Sequence, residues 1–432
     1  MSIRFFFPFA LIIVVSVQYM FAQSTEIFKP HGCFSSSGAT QADVLSHPGC
    51  RGVLISTLWK TIEPAPGKFD FTILKNSINV VKSYGKKWSL AVASGGTGSP
   101  TWLFDSLRVP YVNYSFRGVP GYKLPLFWDN TVQHRLTILA EALGKEFAND
   151  TSLALVYVTQ MTANGNEGHL NGINMDSMRL AGFTPEKWIA SVEYVAKIYA
   201  SAFPNKALAV EVHEIDNSSE IPKNIINDLW NDASLQHRVG AAMWWVSGKT
   251  TYQSTLIQVL KEFQGDIYGQ VIGRSDSVSR FGNNDYSTVF SQAKEIRLRY
   301  IELWEWEYKN HTYDYLLKDF NSWVDSIYNI STSVEAHSQL LQFSLSQNYP
   351  NPFNPETTIE YQLSEPDYVK IKIYDIKGEL INSVDEGYKP SGNHQITWSG
   401  LNKIGTKAAS GAYFYQLEAS NRSEVKKMLL LK

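Results

Sequence analysis

The chain has little of what marks several large functional classes. It holds two cysteines, Cys33 and Cys50, in 432 residues. Its nine histidines form no His-x-x-x-His pair, and no paired-cysteine spacing occurs, so no metal centre is expected. Thirty-nine basic residues against 41 acidic ones leave a net charge of −2, which argues against a nucleic-acid partner, since such partners demand a basic face. There is no Gly-x-Ser-x-Gly elbow to support a serine esterase. No glycine-rich phosphate loop follows the first candidate strand, and no cofactor is expected. Beyond the N-terminal end no apolar run is long enough to cross a bilayer. Internal repeats and low-complexity segments are absent.

Aromatic residues, in contrast, are plentiful: 12 Trp, 23 Tyr and 22 Phe make up 13% of the chain. Sugars present flat C–H faces that stack on such rings, so this composition fits a carbohydrate ligand, and equally fits ordinary core filling. At the N-terminus Arg4 precedes an apolar run over residues 5–17, then Tyr19-Met20-Phe21-Ala22-Gln23. A basic start, a short apolar stretch interrupted by Pro8 and a small residue before a polar one read as a signal peptide over 1–22, cleaved after Ala22. Export to an oxidising compartment permits a disulfide between Cys33 and Cys50; two buried free thiols are the alternative.

Residues 25–335 alternate short apolar runs with amphipathic helical patterns. Candidate strands lie at 52–58, 88–93, near 123–127, and at 153–160, 207–213, 239–246, 267–272 and 300–305. Helical spacing appears over 71–84, 132–147, 185–202 and 286–298, the third opening at Thr184 as N-cap with Pro185 at the first helical position. Eight near-continuously apolar strands separated by helices imply a parallel sheet buried on both faces, which at this length closes into a barrel. After a linker at 336–344, residues 345–432 show period-two alternation broken by Gly, Asn and Pro. The expected fold class is therefore α/β: a (β/α)8 TIM barrel followed by a small all-β immunoglobulin-like sandwich.

The last segment also carries the words NYPNPFNPETTI, VKIKIYDIKGELI, GNHQITWSG, SGAYFYQL and KKMLLLK. It closely resembles the C-terminal sorting domain of the Bacteroidetes type IX (Por) secretion system. That resemblance implies the type IX machinery as a partner for 345–432, and a secreted or cell-surface location.

In the middle domain, Trp59, Glu63-Pro64, Gly67, Phe69, Asp70 and Phe71 follow the first candidate strand. This spacing resembles the W-x-x-x-E-P-x-x-G-x-(F/Y)-D-(F/W) segment of clan A glycoside hydrolases, the β-galactosidase-like and xylanase-like barrels. There the segment is largely structural, so Glu63 is expected to fix a loop. The resemblance implies a general acid at the Glu of an Asn-Glu pair after the fourth strand, where Asn166-Glu167 stands. A carboxylic acid must protonate the departing glycosidic oxygen, while the Asn binds a neighbouring sugar hydroxyl. The family's second carboxylate ends the seventh strand, but here only Asp276 lies near. Glu302, with Tyr300 and Trp304 on the same strand face, and Glu211, with His213 on its face, are the other candidates. A Glu inside an apolar strand is either functional or locked in a buried network, with Arg274, Arg299 and His213 as possible partners.

The catalytic candidates are thus Glu167, Glu302, Glu211 and Asp276. Asn166, Trp59, Trp102, His213, Trp244 and Trp304 are the candidate sugar contacts. Trp102 closes a Gly-rich loop (residues 93–102) after the second candidate strand and resembles the Pro-x-Trp of the β-galactosidase-like families. The implied activity is hydrolysis of a β-linked poly- or oligosaccharide. A glycan-binding barrel that has lost the strand-seven nucleophile, or a surface adhesin, are the alternatives.

Overall fold

The computed structural model describes residues 27–328, 343–363, 367–389, 392–419 and 422–431. The expected signal peptide at 1–22 and residues 336–342 of the expected linker lie outside them. The chain divides into two compact units, 1–324 and 325–432.

The first unit is a closed eight-stranded barrel in which all strand pairings are parallel. Its strands are β1 (Gly32–Ser35), β2 (Gly52–Leu58), β3 (Lys87–Ala93), β6 (Leu153–Tyr157), β7 (Ala207–Glu211), β8 (Val239–Val246), β9 (Ile267–Val271) and β10 (Tyr300–Leu303). Parallel strands need crossovers, and helices such as Thr72–Ser83, Asn130–Phe147 and Pro185–Ala202 supply them. The last of these starts as its sequence dictates: the Thr184 hydroxyl accepts from the Lys187 N–H at 3.2 Å, and Pro185 gives up no hydrogen bond at the first position.

Two expectations about strand order are corrected. The barrel opens at β1, four residues too short to register as a pattern, so 52–58 is the second strand and 87–93 the third. The segment near 123–127 is not in the barrel. It belongs to a side hairpin, β4 (Tyr111–Phe116) and β5 (Val119–Pro125). Because one strand is gained and one lost, the fourth to eighth strands keep their expected places.

Alternate side chains fill the barrel lumen. Phe34, Leu54, Ala91, Leu155, Tyr157, Ala207, Ala209, Ala242, Trp244, Tyr268 and Tyr300 form one buried cluster. Each large apolar side chain so buried contributes about 1.5–3 kcal/mol. Small residues on β7 leave room for the rings of Trp244 and Tyr157, which meet edge to face at 4.9 Å.

The second unit is all-β. A three-stranded sheet holds β11 (Ser344–Leu345), β12 (Thr357–Leu363) and β15 (Gly392–Trp398). A four-stranded sheet has β14 (Leu380–Lys389), β13 (Asp367–Asp375), β16 (Gly411–Ala419) and β17 (Arg422–Leu430) in that order. Ile359, Tyr361 and Leu363 from one sheet and Val369, Ile371, Ile373, Tyr415 and Leu417 from the other form its core, in the period-two pattern of strands with one buried face.

Candidate active site

The C-terminal ends of the parallel strands carry the candidate residues, as barrel geometry requires. Glu167 lies in the loop after the fourth barrel strand, β6. Asn164 shapes that loop: its Oδ1 accepts from the Asn166 N–H at 3.1 Å and the Glu167 N–H at 2.9 Å, and its Nδ2 donates to Glu167 Oε1 at 2.9 Å. Gly165 follows at φ +85°, packed against the loop after β3, where the Ser94 N–H donates to its carbonyl at 3.2 Å. Asn164 is a site residue that sequence reasoning passed over, although an Asn three positions before the Glu is a local signal.

Around Glu167 stand two imidazoles. His169 Nε2 lies 3.6 Å and His213 Nε2 3.9 Å from Glu167 Oε2, and the two rings meet edge to face at 5.2 Å. His169 Nδ1 accepts from the Asn171 N–H at 3.2 Å, which puts its proton on the nitrogen facing Glu167. Behind His213 sits Glu211, at the end of β7 and 2% exposed. Its Oε2 is 2.9 Å from His213 Nδ1 and accepts from the Gly168 N–H, while Oε1 accepts from the Trp244 N–H at 3.0 Å. The sequence places Glu211 and His213 on one strand face; the structure brings them to Glu167.

The electrostatics follow from this packing. Burial raises the pKa of Glu167, and the nearby Glu211 raises it further, against the opposing pull of His213, Asn164 and Arg117. Burial pushes Glu211 well up, with the Gly168 and Trp244 N–H groups pulling it back. His213 is lowered to about 4 by burial, with Glu167 acting the other way. His169 is likewise lowered to about 4, by burial and then by His213. Burial thus shifts Glu167 toward its acid form, the direction a general acid needs, and both imidazoles toward neutrality.

Glu302 points into the lumen from β10 and is fully buried. Its Oε1 accepts from Tyr300 at 2.5 Å, Tyr157 at 2.9 Å and Ser89 at 3.3 Å, and its Oε2 from Gln270 Nε2 at 2.6 Å. Burial pushes it up to about 7 even against those four donors. The half-buried Gln270 belongs to the seventh barrel strand, so an amide rather than a carboxylate reaches in from there.

Other candidates are placed elsewhere. Asp276 is exposed and paired with Arg274 at 2.5 Å, which holds it below the usual carboxylate range; it is removed as a second catalytic group. Arg299 pairs with Asp266 at 3.0 Å, so neither arginine is the partner of Glu211 or Glu302. Trp59 and Trp102 are buried in a structural cluster, which corrects their reading as sugar contacts. The Trp59 indole donates to Glu63 Oε2 at 2.6 Å and the Trp102 indole to the Glu63 carbonyl at 3.0 Å, and Arg135 pairs with Glu63. Glu63 also accepts from the Gly67 N–H at 2.7 Å, the loop-fixing part expected of it. Trp244 lines the lumen at the mouth, and half-buried Trp304 ends β10 with its indole donating to the Val271 carbonyl at 2.9 Å. Asn166 is half-buried beside Glu167.

Cys33 and Cys50 are buried free thiols, not a bridge. The Cys50 thiol donates to the Gly52 carbonyl at 3.1 Å and that of Cys33 lies 3.7 Å from the Leu317 carbonyl, so each already has its own partner. Among the described residues, one group of potential metal ligands joins residues far apart in sequence, His47, His311 and Asp314. Hydrogen bonds occupy it: His47 Nδ1 accepts from the Gly49 N–H at 3.0 Å, so the Nε2 facing Asp314 at 3.0 Å carries the proton.

Comparison with known proteins bears on this geometry. Residues 30–159 match the β-galactosidase model of glycoside hydrolase family 42. The match runs from the start of the barrel through its fourth strand and supports a glycosidase, but ends before Glu167. Residues 353–423 match the FlgD Ig-like domain. Among solved structures, endo-glycoceramidase II from Rhodococcus sp. is 11% identical, with 86% of this chain and 96% of that one covered at a TM-score of 0.43. The endo-β-1,4-mannanase from Thermotoga petrophila is 8% identical, with 94% and 98% covered at 0.42. Latent PorU from Porphyromonas gingivalis is 21% identical over 22% of this chain, at 0.19, and the chain spans only 10% of its length. No curated protein matches.

Proposed function

We propose that this chain is an exported glycoside hydrolase that cleaves β-linked oligo- or polysaccharides, with Glu167 protonating the departing glycosidic oxygen. The observation that carries this reading is the setting of Glu167. It stands at the end of the fourth barrel strand, oriented by Asn164 and raised in pKa by burial and Glu211. Asn166 beside it, Trp244 at the mouth and Trp304 at the end of β10 are the sugar contacts. Glu302, fully buried and hydrogen-bonded to the half-buried Gln270, is the second carboxyl group, and its ionised form, gained as the pH rises through about 7, would stabilise the oxocarbenium-like transition state. The terminal signals assign export through residues 1–22 and type IX sorting, with that machinery as partner, through 345–432. The barrel is taken as 25–335 and the linker as 336–344.

A second reading, a barrel that binds glycans without cutting them, is favoured by one observation. Gln270 stands on strand seven, and Glu302 is fully enclosed. Incubation with β-linked glycans separates the two. New reducing ends, absent in Glu167→Gln, support the hydrolase; saturable binding with no new ends supports the binder and overturns the enzyme.

A further inference from the structure

The side hairpin has no part in the barrel wall, yet it is fastened to the loop that carries Glu167. Tyr114 on β4 is buried, and its hydroxyl donates to the Ala163 carbonyl, just before Glu167. Just beyond Glu167, a Cβ on Gly172 would meet the Ser115 carbonyl oxygen at 2.5 Å, so the two backbones pass closely there. A Cβ on Gly96, in the loop after β3, would likewise strike the Tyr114 ring. The hairpin is therefore seated on the loops after β3 and β6, and its aromatic rings stiffen it: Tyr122 lies 5.6 Å from Tyr114 and 6.1 Å from Phe116.

The tip of this hairpin is Arg117-Gly118, with φ of +53° and +79°. A turn with both central residues left-handed favours Asn or Gly, and an arginine in that conformation costs about 1 kcal/mol. The turn itself thus does not ask for Arg117. The side chain is exposed and its guanidinium lies 5.2 Å from the Phe116 ring. Among the described residues no carboxylate pairs with it. Asp176 and Asp216, in the loops after β6 and β7, are both taken by Arg179, at 2.7 and 2.6 Å. The Arg117 charge is felt in the site, where it pulls down the pKa of both Glu167 and His169. Lys60 adds a second cation without an acidic partner: its Nζ donates to the Thr97 carbonyl at 2.9 Å, and the Thr97 hydroxyl donates to the Asn164 carbonyl.

We propose that Arg117 is a specificity residue that binds an acidic group on the sugar, a uronate carboxylate or a sulfate ester, so that the substrate is an anionic β-linked glycan. This rests on the reading of the mouth of the barrel as the glycan site. A guanidinium donates two parallel hydrogen bonds to a carboxylate or to a sulfate, and on a neutral sugar that fork has no matching partner. An anion held there also balances Arg117 and so cancels its pull on Glu167, which favours the protonated form of the acid.

The test measures binding by calorimetry on the full chain carrying Glu167→Gln, so that nothing is cleaved. Three ligand series share one backbone: β-1,4-linked glucose oligomers, their C6-oxidised uronate counterparts and their C6-sulfated counterparts. At about 0.15 M salt, where exposed charges further apart than ~8 Å are screened, an anionic series should bind about tenfold or more tighter than the neutral one. The tighter of the two anionic series identifies the acidic group. Arg117→Asn suits the left-handed backbone, so the hairpin keeps its turn, and it should abolish the preference; Arg117→Lys should retain part of it. Equal binding of neutral and anionic series, no binding of either anionic series, or a preference that survives Arg117→Asn overturns the proposal. Reducing ends released by the chain with Glu167 intact are read in parallel. If the neutral series is cleaved and all three bind alike, the anion site alone fails; if the anionic series binds through Arg117 but no series is cleaved, the hydrolase reading has failed and the anion site stands.

Discussion

At the scale of single residues, the informative contrast is between two buried glutamates. Glu211 has a titratable partner at 2.9 Å, whereas Glu302 is met only by hydroxyls and an amide. Glu302 therefore contributes a pH-dependent term to stability. Its folded pKa of about 7 lies above the ordinary 4.5, so the fold favours the neutral form. That contribution is complete below pH 4.5 and is lost as the pH rises through 7, a change of about 3 kcal/mol. Glu302→Gln keeps a neutral group able to accept the same hydroxyls. It should melt like the wild type in acid but clearly above it at pH ~8, past the folded value. Parallel melting curves at both pH values would show that the carboxylate is not held neutral.

The element that matters most is the loop after β6. It is zipped to the loop after β3: the Gly96 N–H donates to the Thr162 carbonyl at 3.1 Å and the Thr97 hydroxyl to the Asn164 carbonyl at 2.6 Å. A Cβ on Gly165 would meet the Ser94 carbonyl oxygen at 2.1 Å, at a φ of +85°. Gly165→Ala should thus displace Glu167 and lower kcat/KM by about tenfold or more, with strain of about 1–3 kcal/mol. Gly85→Ala, at φ +65° with open space around it, shares the backbone strain without the clash and should keep its activity. Equal activity in the two variants would mean that the loop does not place Glu167.

Much of this element scale was legible in the sequence, and the failures have physical causes. The helix Pro185–Ala202 announces itself through Thr184, and β8 through its apolar run. The strand β1 is four residues, Gly-Cys-Phe-Ser, with no room for a pattern; the apolar residues near 123–127 instead serve a hairpin. Asn166-Glu167 is readable because the pair is local. Its link to Glu211 crosses from one strand end to the next, and no spacing encodes it. Trp59 and Trp102 were misread because an indole on a sugar platform and an indole over Glu63 and Arg135 are the same residue; only neighbours separate them. The cysteines show the same limit, since compartment permits a bridge but geometry decides it.

At the scale of the whole molecule, the chain is two units with separate cores. Residues 25–335 expressed alone should therefore melt in one cooperative transition; a non-cooperative melt would mean that the barrel depends on the C-terminal unit. The function we propose for the full chain rests on one proton. The most direct measurement compares turnover of glycosides with poor and good leaving groups by wild type and Glu167→Gln. A glutamine cannot donate, so cleavage of natural glycosides should fall by about 10²-fold or more, while substrates whose leaving group needs no protonation should suffer far less in the bond-breaking step. An equal loss on both substrate types, or no loss on either, would contradict the assignment of Glu167 as the proton donor.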